Sequence, residues 1–164
     1  MNENYNNMME DFELFVGQKK AEYYTTRFEM FIDQDAKAGW NWPALFVPTL
    51  WMAYRKMYLQ SIAYLVITMI ISLLAMKIAF IGYFNFVIGF GFPIIANYVY
   101  YLHAKSKIEK SYEINDSDER EVFIKKAGGT NVTAIFIMII VSLAVQLFEL
   151  HLTGNLEILK SMFL

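Results

Sequence analysis

A chain of 164 residues that is 57% hydrophobic and 18% charged is richer in apolar residues than a water-soluble domain of that length. Its formal net charge of -2 supplies no basic field for nucleic acid, and the absence of cysteine excludes disulfides, thiolate metal sites and cysteine nucleophiles. Two histidines, His103 and His151, are too few for a histidine-only metal site, so the sequence predicts no metal, no cofactor and no catalytic residue.

Met1 to Glu10 is Asn-rich and acidic, with no basic stretch ahead of an apolar core. No cleavable signal peptide is therefore expected, and the spans themselves must direct insertion. Met1 to Asp11 has little apolar content to offset the entropy of ordering and is expected to fray. From Gln18 to Asp33, Ala21, Tyr24, Phe28 and Phe31 recur at spacings of three and four, with charged and polar residues between them. That period predicts an amphipathic helix whose aromatic stripe packs on the protein's own membrane domain, set off from Phe12 and Phe15 by Gly17. Residues 1–38 form the predicted cytoplasmic amphipathic region.

Residues 39–56 are an aromatic segment that is either interfacial or re-entrant. Pro43 suits the first turn of a new helix, with Asn41 or Trp42 as its cap, and Pro48 repeats the signal. Ala44 to Tyr54 is apolar but too short for the roughly 20 residues that cross a bilayer. All three tryptophans fall here, and Trp40, Trp42, Trp51, Tyr54, Arg55, Lys56 and Tyr58 form a predicted belt of membrane-interface anchors.

Met57 to Met76 is an uncharged run that predicts the first span, 57–76. After Lys77, no charge occurs from Ile78 to Ala104, and a second span is expected at about 79–102. Within it Gly89, Gly91 and Pro93 make a candidate hinge, because Pro93 cannot donate to the Gly89 carbonyl. Lys105 to Lys126 carries six basic and six acidic residues and reads as a solvated cytoplasmic loop, part of it helical. Thr130 to Phe148 predicts the third span, 130–148, which completes a membrane domain over 57–155, and residues 156–164 follow as a short external tail. The fold class expected is all-α, with three transmembrane helices, an N-terminal amphipathic helix and an interfacial helix.

Arg55, Lys56, Lys105, Lys107, Lys110, Lys125 and Lys126 lie on one side of these spans, against Lys77 and Lys160 on the other. The positive-inside rule then places the N-terminus in the cytoplasm and the C-terminus outside. Glu149 and His151 are two apart on a helix, roughly 200 degrees around it, so they need not meet as a proton relay. Asp116 to Glu121 lacks the glycine and the distal glutamate of a calcium loop and reads as a solvated charge run. Arg55 and Lys56 serve topology and snorkelling, with a site for anionic lipid as the sharper alternative.

The landmarks Phe15-Val-Gly17, Tyr23-Tyr24, Asn41-Trp42-x-Ala44-x-Phe46, Trp51-x-x-Tyr54-Arg-Lys-Met-Tyr58, Asn97-x-x-Tyr100-Tyr101-x-His103 and Gly128-Gly129-Thr130 together resemble an uncharacterised bacterial family of small integral membrane proteins, domain of unknown function 2628. The resemblance covers roughly Phe12 to Thr130, and the family's usual Phe-Asn-Trp stands here as Trp40-Asn41-Trp42. It implies a bacterial inner-membrane location and brings no activity with it. The functional expectation is a non-enzymatic membrane module that touches membrane lipids and acts through self-assembly or a membrane protein partner. An oligomeric channel or small transporter gated by the kinked second span is the alternative. Small residues such as Ser61, Ser72, Ala75, Ala134 and Ser142 offer surfaces on which membrane helices associate.

Overall fold

The computed structural model describes residues 3–154, and among these residues every regular element is helical. Eight α-helices follow in order: α1 (Glu3–Val16), α2 (Ala21–Asp33), α3 (Trp42–Phe46), α4 (Pro48–Tyr54), α5 (Tyr58–Ala75), α6 (Gly82–Ser111), α7 (Ser117–Ala127) and α8 (Val132–Leu152). Short 3-10 turns at Gln18–Lys20 and Ala79–Ile81 lead into α2 and α6. The predicted external tail, 156–164, lies outside the described residues.

Three of these helices are long and apolar enough to cross a membrane, and they are α5, α6 and α8. The most apolar stretches have mean hydropathies of 1.9, 1.8 and 2.3, yet only 6%, 11% and 11% of those residues are buried inside the protein. Such surfaces call for an apolar surrounding, which the hydrocarbon of a bilayer supplies. At about 1.5 Å per residue, α5 and α8 match a hydrocarbon core of about 30 Å, whereas α6 exceeds it. The helix that carries the second predicted span, 79–102, therefore continues past it. It runs on to Ser111, because nothing from Leu102 to Lys110 breaks a helix and Ala104, Ile108 and Ser111 find burial on one face.

α5 and α6 form an antiparallel pair joined by a tight turn at Lys77. The Asn85 side chain donates to the Thr68 carbonyl at 3.3 Å and to Ser72 Oγ at 2.9 Å, so its NH2 group bonds across to α5 while its Oδ1 is buried without a partner among the described residues. α8 packs on α4 and on the near half of α5, where Ala53, Ala134 and Met138 make a small core.

The rest of the chain builds a cap on the extension of α6. α2 buries Tyr24, Phe28 and Phe31 against Tyr98, Tyr100 and Tyr101 of α6. α1 adds Phe12 and Phe15 to the same cluster, and α7 covers α1 with Ile124. The N-terminal residues expected to fray are thus helical from Glu3 onward. Asp11 and Phe12 are buried there, and the Asp11 carboxylate pairs with Arg120 of α7 while accepting from the Tyr112 hydroxyl at 3.4 Å. Burial holds the Asp11 carboxyl above its ordinary range, against the opposing pull of Arg120. The predicted solvated loop, 105–126, is mostly helix in the structure, formed by the end of α6 and by α7.

Candidate functional site: a caged arginine ahead of the first span

Between the cap and the first span the chain makes a helical hairpin. Asn41 caps α3 by accepting from the Ala44 amide at 3.0 Å, and Pro43 and Pro48 occupy the first turns of α3 and α4, where a missing amide proton costs nothing. α3 lies against α6, and α4 lies between α5 and α8. Asn97 holds the hairpin to α6. Its Oδ1 accepts from Asn41 Nδ2 at 2.8 Å in a buried pair, and its Nδ2 donates to the half-buried Gly39 carbonyl at 3.2 Å.

Pro93 completes that clamp. The Gly39 amide donates to the Ile94 carbonyl at 2.7 Å and the Asn41 amide to the Pro93 carbonyl at 3.1 Å. α6 runs unbroken through the proline, which is buried, so the segment predicted as a hinge is where the hairpin is fastened. A Cβ placed at Gly89 or Gly91 would meet nothing within 4 Å, so neither glycine serves a close helix approach among the described residues.

α4 ends in a Schellman motif. The Met57 amide donates to the Met52 carbonyl at 2.9 Å and the Lys56 amide to the Ala53 carbonyl at 3.0 Å, with Lys56 left-handed at φ 60°. Met52 and Met57, both fully buried, make the apolar contact that accompanies this motif. The turn reverses the chain from α4 into α5 and sends neighbouring cations to different places. Lys56 reaches outward, and its Nζ donates to the Lys126 carbonyl at 2.9 Å. Arg55 turns inward and is 4% exposed. The flanking tyrosines receive α8, since the Asn131 amide donates to the Tyr54 carbonyl and Asn131 Nδ2 to the Tyr58 hydroxyl, each at 2.8 Å.

The Arg55 guanidinium lies 4.5 Å from the Tyr24 ring centre, 5.4 Å from Tyr100 and 5.6 Å from Tyr54. Trp51, also buried, packs edge-on against Tyr100 beside them. Cation–π contacts of this kind contribute about 0.5–2 kcal/mol each. They do not use the guanidinium's N–H groups. Nε and Nη1 are buried without a hydrogen-bond partner, and among the described residues no carboxylate pairs with Arg55. Burial raises the Tyr24 phenol above its ordinary value despite the neighbouring Arg55, so Tyr24 stays neutral and does not offset the charge.

Two hollows meet at Arg55. The larger, about 490 Å³, is walled by α2, the hairpin and Ile135 of α8 and is strongly apolar. The smaller, about 280 Å³, lies toward Gly17, Lys19 and Gly129. Lys20 and Tyr54 line both, and no aspartate or glutamate lines either.

Of the predicted anchors, Trp40, Trp42 and Tyr58 are exposed, Tyr54 and Lys56 are half-buried, and Trp51 and Arg55 belong to the interior. The belt is therefore split, because the Schellman turn rotates Arg55 away from the surface and α4 presents Trp51 to α6. Glu149 and His151 lie on the last turns of α8 with no ion pair between them. Asp116 caps α7, its Oδ1 accepting from the Glu119 amide at 2.8 Å, and no group of three metal-ligating side chains occurs among the described residues. The Asp11–Arg120 pair is not legible in sequence, where a separation of 109 residues leaves no local spacing to read.

These features define a helical membrane protein in which a hairpin precedes the first of three apolar helices and a buried arginine, paired with no carboxylate among the described residues, sits at their junction. The chain belongs to the family described as Protein of unknown function (DUF2628), whose model matches residues 16–105, from the end of α1 to the extension of α6. No curated protein and no solved structure matches the chain.

Proposed function

We propose that this protein is a non-enzymatic module of the bacterial cytoplasmic membrane, with its N-terminus in the cytoplasm and its C-terminus outside, and that it acts by assembling with further copies of itself through α8. The observation that carries this reading is Gln146. It is exposed on the far half of α8, six residues before the helix ends, among exposed Leu143, Leu147 and Phe148. Its side chain makes no hydrogen bond among the described residues, and the only fully buried positions of α8, Ala134 and Met138, lie in its first two turns. An amide facing hydrocarbon is stabilised by bonding to another helix, at about 0.6–2 kcal/mol. A second copy supplies the matching amide by symmetry.

The clamp at Pro93 weighs against the alternative of a channel gated by the second span, because a hinge there would have to break the bonds from Gly39 and Asn41. Single-molecule photobleaching of the full-length protein in nanodiscs formed from native lipid tests the assembly reading. Wild type is expected to show two or more copies per disc, with Gln146→Leu shifted several-fold toward monomer. A monomeric wild type, or an oligomer indifferent to Gln146→Leu, contradicts it.

A further inference from the structure

We propose that Arg55 and the apolar hollow beside it bind an anionic phospholipid of the leaflet nearest the cap, with the phosphate on the guanidinium and one acyl chain in the hollow. This holds for a single copy of the chain and does not rest on assembly through α8. A buried charge is stable when it is paired and hydrogen-bonded, and removing its partner typically costs several kcal/mol. Arg55 is held among three rings, yet among the described residues its Nε and Nη1 have no partner and no carboxylate lines either hollow beside it. Unused N–H donors on a planar guanidinium suit the several charged oxygens of a phosphate, with which arginine makes strong, charge-assisted hydrogen bonds. Lys20, shared by both hollows, adds a second cation.

The shape of the larger hollow selects a lipid over a free anion. Beyond Arg55 its walls include Trp42, Val47, Leu50 and Ile135. Val47 and Trp42 are exposed at the hairpin's tip, and Ile135 lies on the first turn of α8, so the hollow continues onto the apolar surface of the spans. Inorganic phosphate would fill the guanidinium end and leave the apolar length empty. Neutral lipid would fill the length, but its zwitterionic head brings a choline cation close to Arg55 and Lys20.

The test uses the full-length protein purified in a neutral detergent and titrated with mixed micelles of phosphatidylglycerol, phosphatidylcholine, or inorganic phosphate alone, with melting temperature and native mass spectrometry as readouts. Phosphatidylglycerol is expected to raise the melting temperature saturably and to be retained, at least tenfold in preference to phosphatidylcholine. Arg55→Gln should lose that preference, and Arg55→Lys, a point charge without the planar fork, should recover only part of it. Because a buried substitution can disturb folding, Val47→Trp, which fills the hollow and leaves Arg55 intact, supplies a second variant and is also expected to lose retained lipid. Equal retention of the two lipids, stabilisation by inorganic phosphate as large as that by phosphatidylglycerol, or unchanged preference in both Arg55→Gln and Val47→Trp would overturn the proposal.

Discussion

Lys56 holds a left-handed conformation that glycine adopts more cheaply, at a cost of about 1 kcal/mol. The lysine is retained in a motif where each neighbour does a separate job. Tyr54 and Tyr58 receive Asn131, Arg55 enters the aromatic cage, Met57 packs on Met52, and Lys56 itself ties α4 to the end of α7 through the Lys126 carbonyl. A second residue-scale constraint lies at Gly128. A Cβ there would fall 2.0 Å from the Phe15 carbonyl oxygen, against backbone that cannot step aside, and the next amide, Gly129, donates to that same oxygen at 2.6 Å. Gly128→Ala is therefore expected to separate the end of α1 from α7 and to destabilise the cap by about 1–3 kcal/mol. A thermal melt in neutral detergent checks this. An unchanged midpoint would show that α1 does not dock as described.

At the scale of elements, the hairpin of α3 and α4 is the part most dependent on polar contacts. Asn97 satisfies Asn41 and the Gly39 carbonyl from within α6, and replacing it leaves buried groups unpaired at about 1–3 kcal/mol each. Asn97→Leu should release the hairpin while α5 and α6 stay paired through Asn85. Hydrogen exchange is then expected to accelerate at the Gly39 and Asn41 amides by an order of magnitude or more and to stay unchanged in α6 beyond Tyr100. Retained protection at those two amides would sink the clamp.

Much of this architecture can be read from residues alone, for identifiable reasons. Long uncharged runs bounded by Lys77 and Lys105 mark the spans because hydrocarbon tolerates few charges, and Asn41 with Pro43 marks a helix start because cap chemistry is local. The contacts that build the site are not local. Arg55 and Lys56 are adjacent and alike in charge, and only the handedness of the Schellman turn sends one inward and the other out. Likewise the residues up to Asp11 read as a fraying tail until α7, more than a hundred residues later, supplies the surface that covers α1 and the cation that meets Asp11. Gly89, Gly91 and Pro93 read as a candidate hinge, and no local spacing shows that Gly39 and Asn41 bond to the Ile94 and Pro93 carbonyls there.

For the molecule as a whole, three apolar helices carry at one end a helical cap and, packed beneath it, the short hairpin of α3 and α4. Trp42, Phe46 and Val47 are exposed on a hairpin packed against α5, α6 and α8, and of the two readings of residues 39–56 the re-entrant one places Phe46 within the membrane. Because the chain has no cysteine, single thiols report position without background. The most direct test is labelling of Asn115→Cys, Phe46→Cys and Asn155→Cys in intact cells and in inverted membrane vesicles with a membrane-impermeant maleimide. A cytoplasmic cap, an external C-terminus and a re-entrant hairpin predict reaction at residue 115 only in inverted vesicles, at residue 155 only in intact cells, and at residue 46 in neither until the membrane is dissolved. Reaction of residue 46 from the aqueous phase, or the reverse pattern at 115 and 155, would contradict that arrangement.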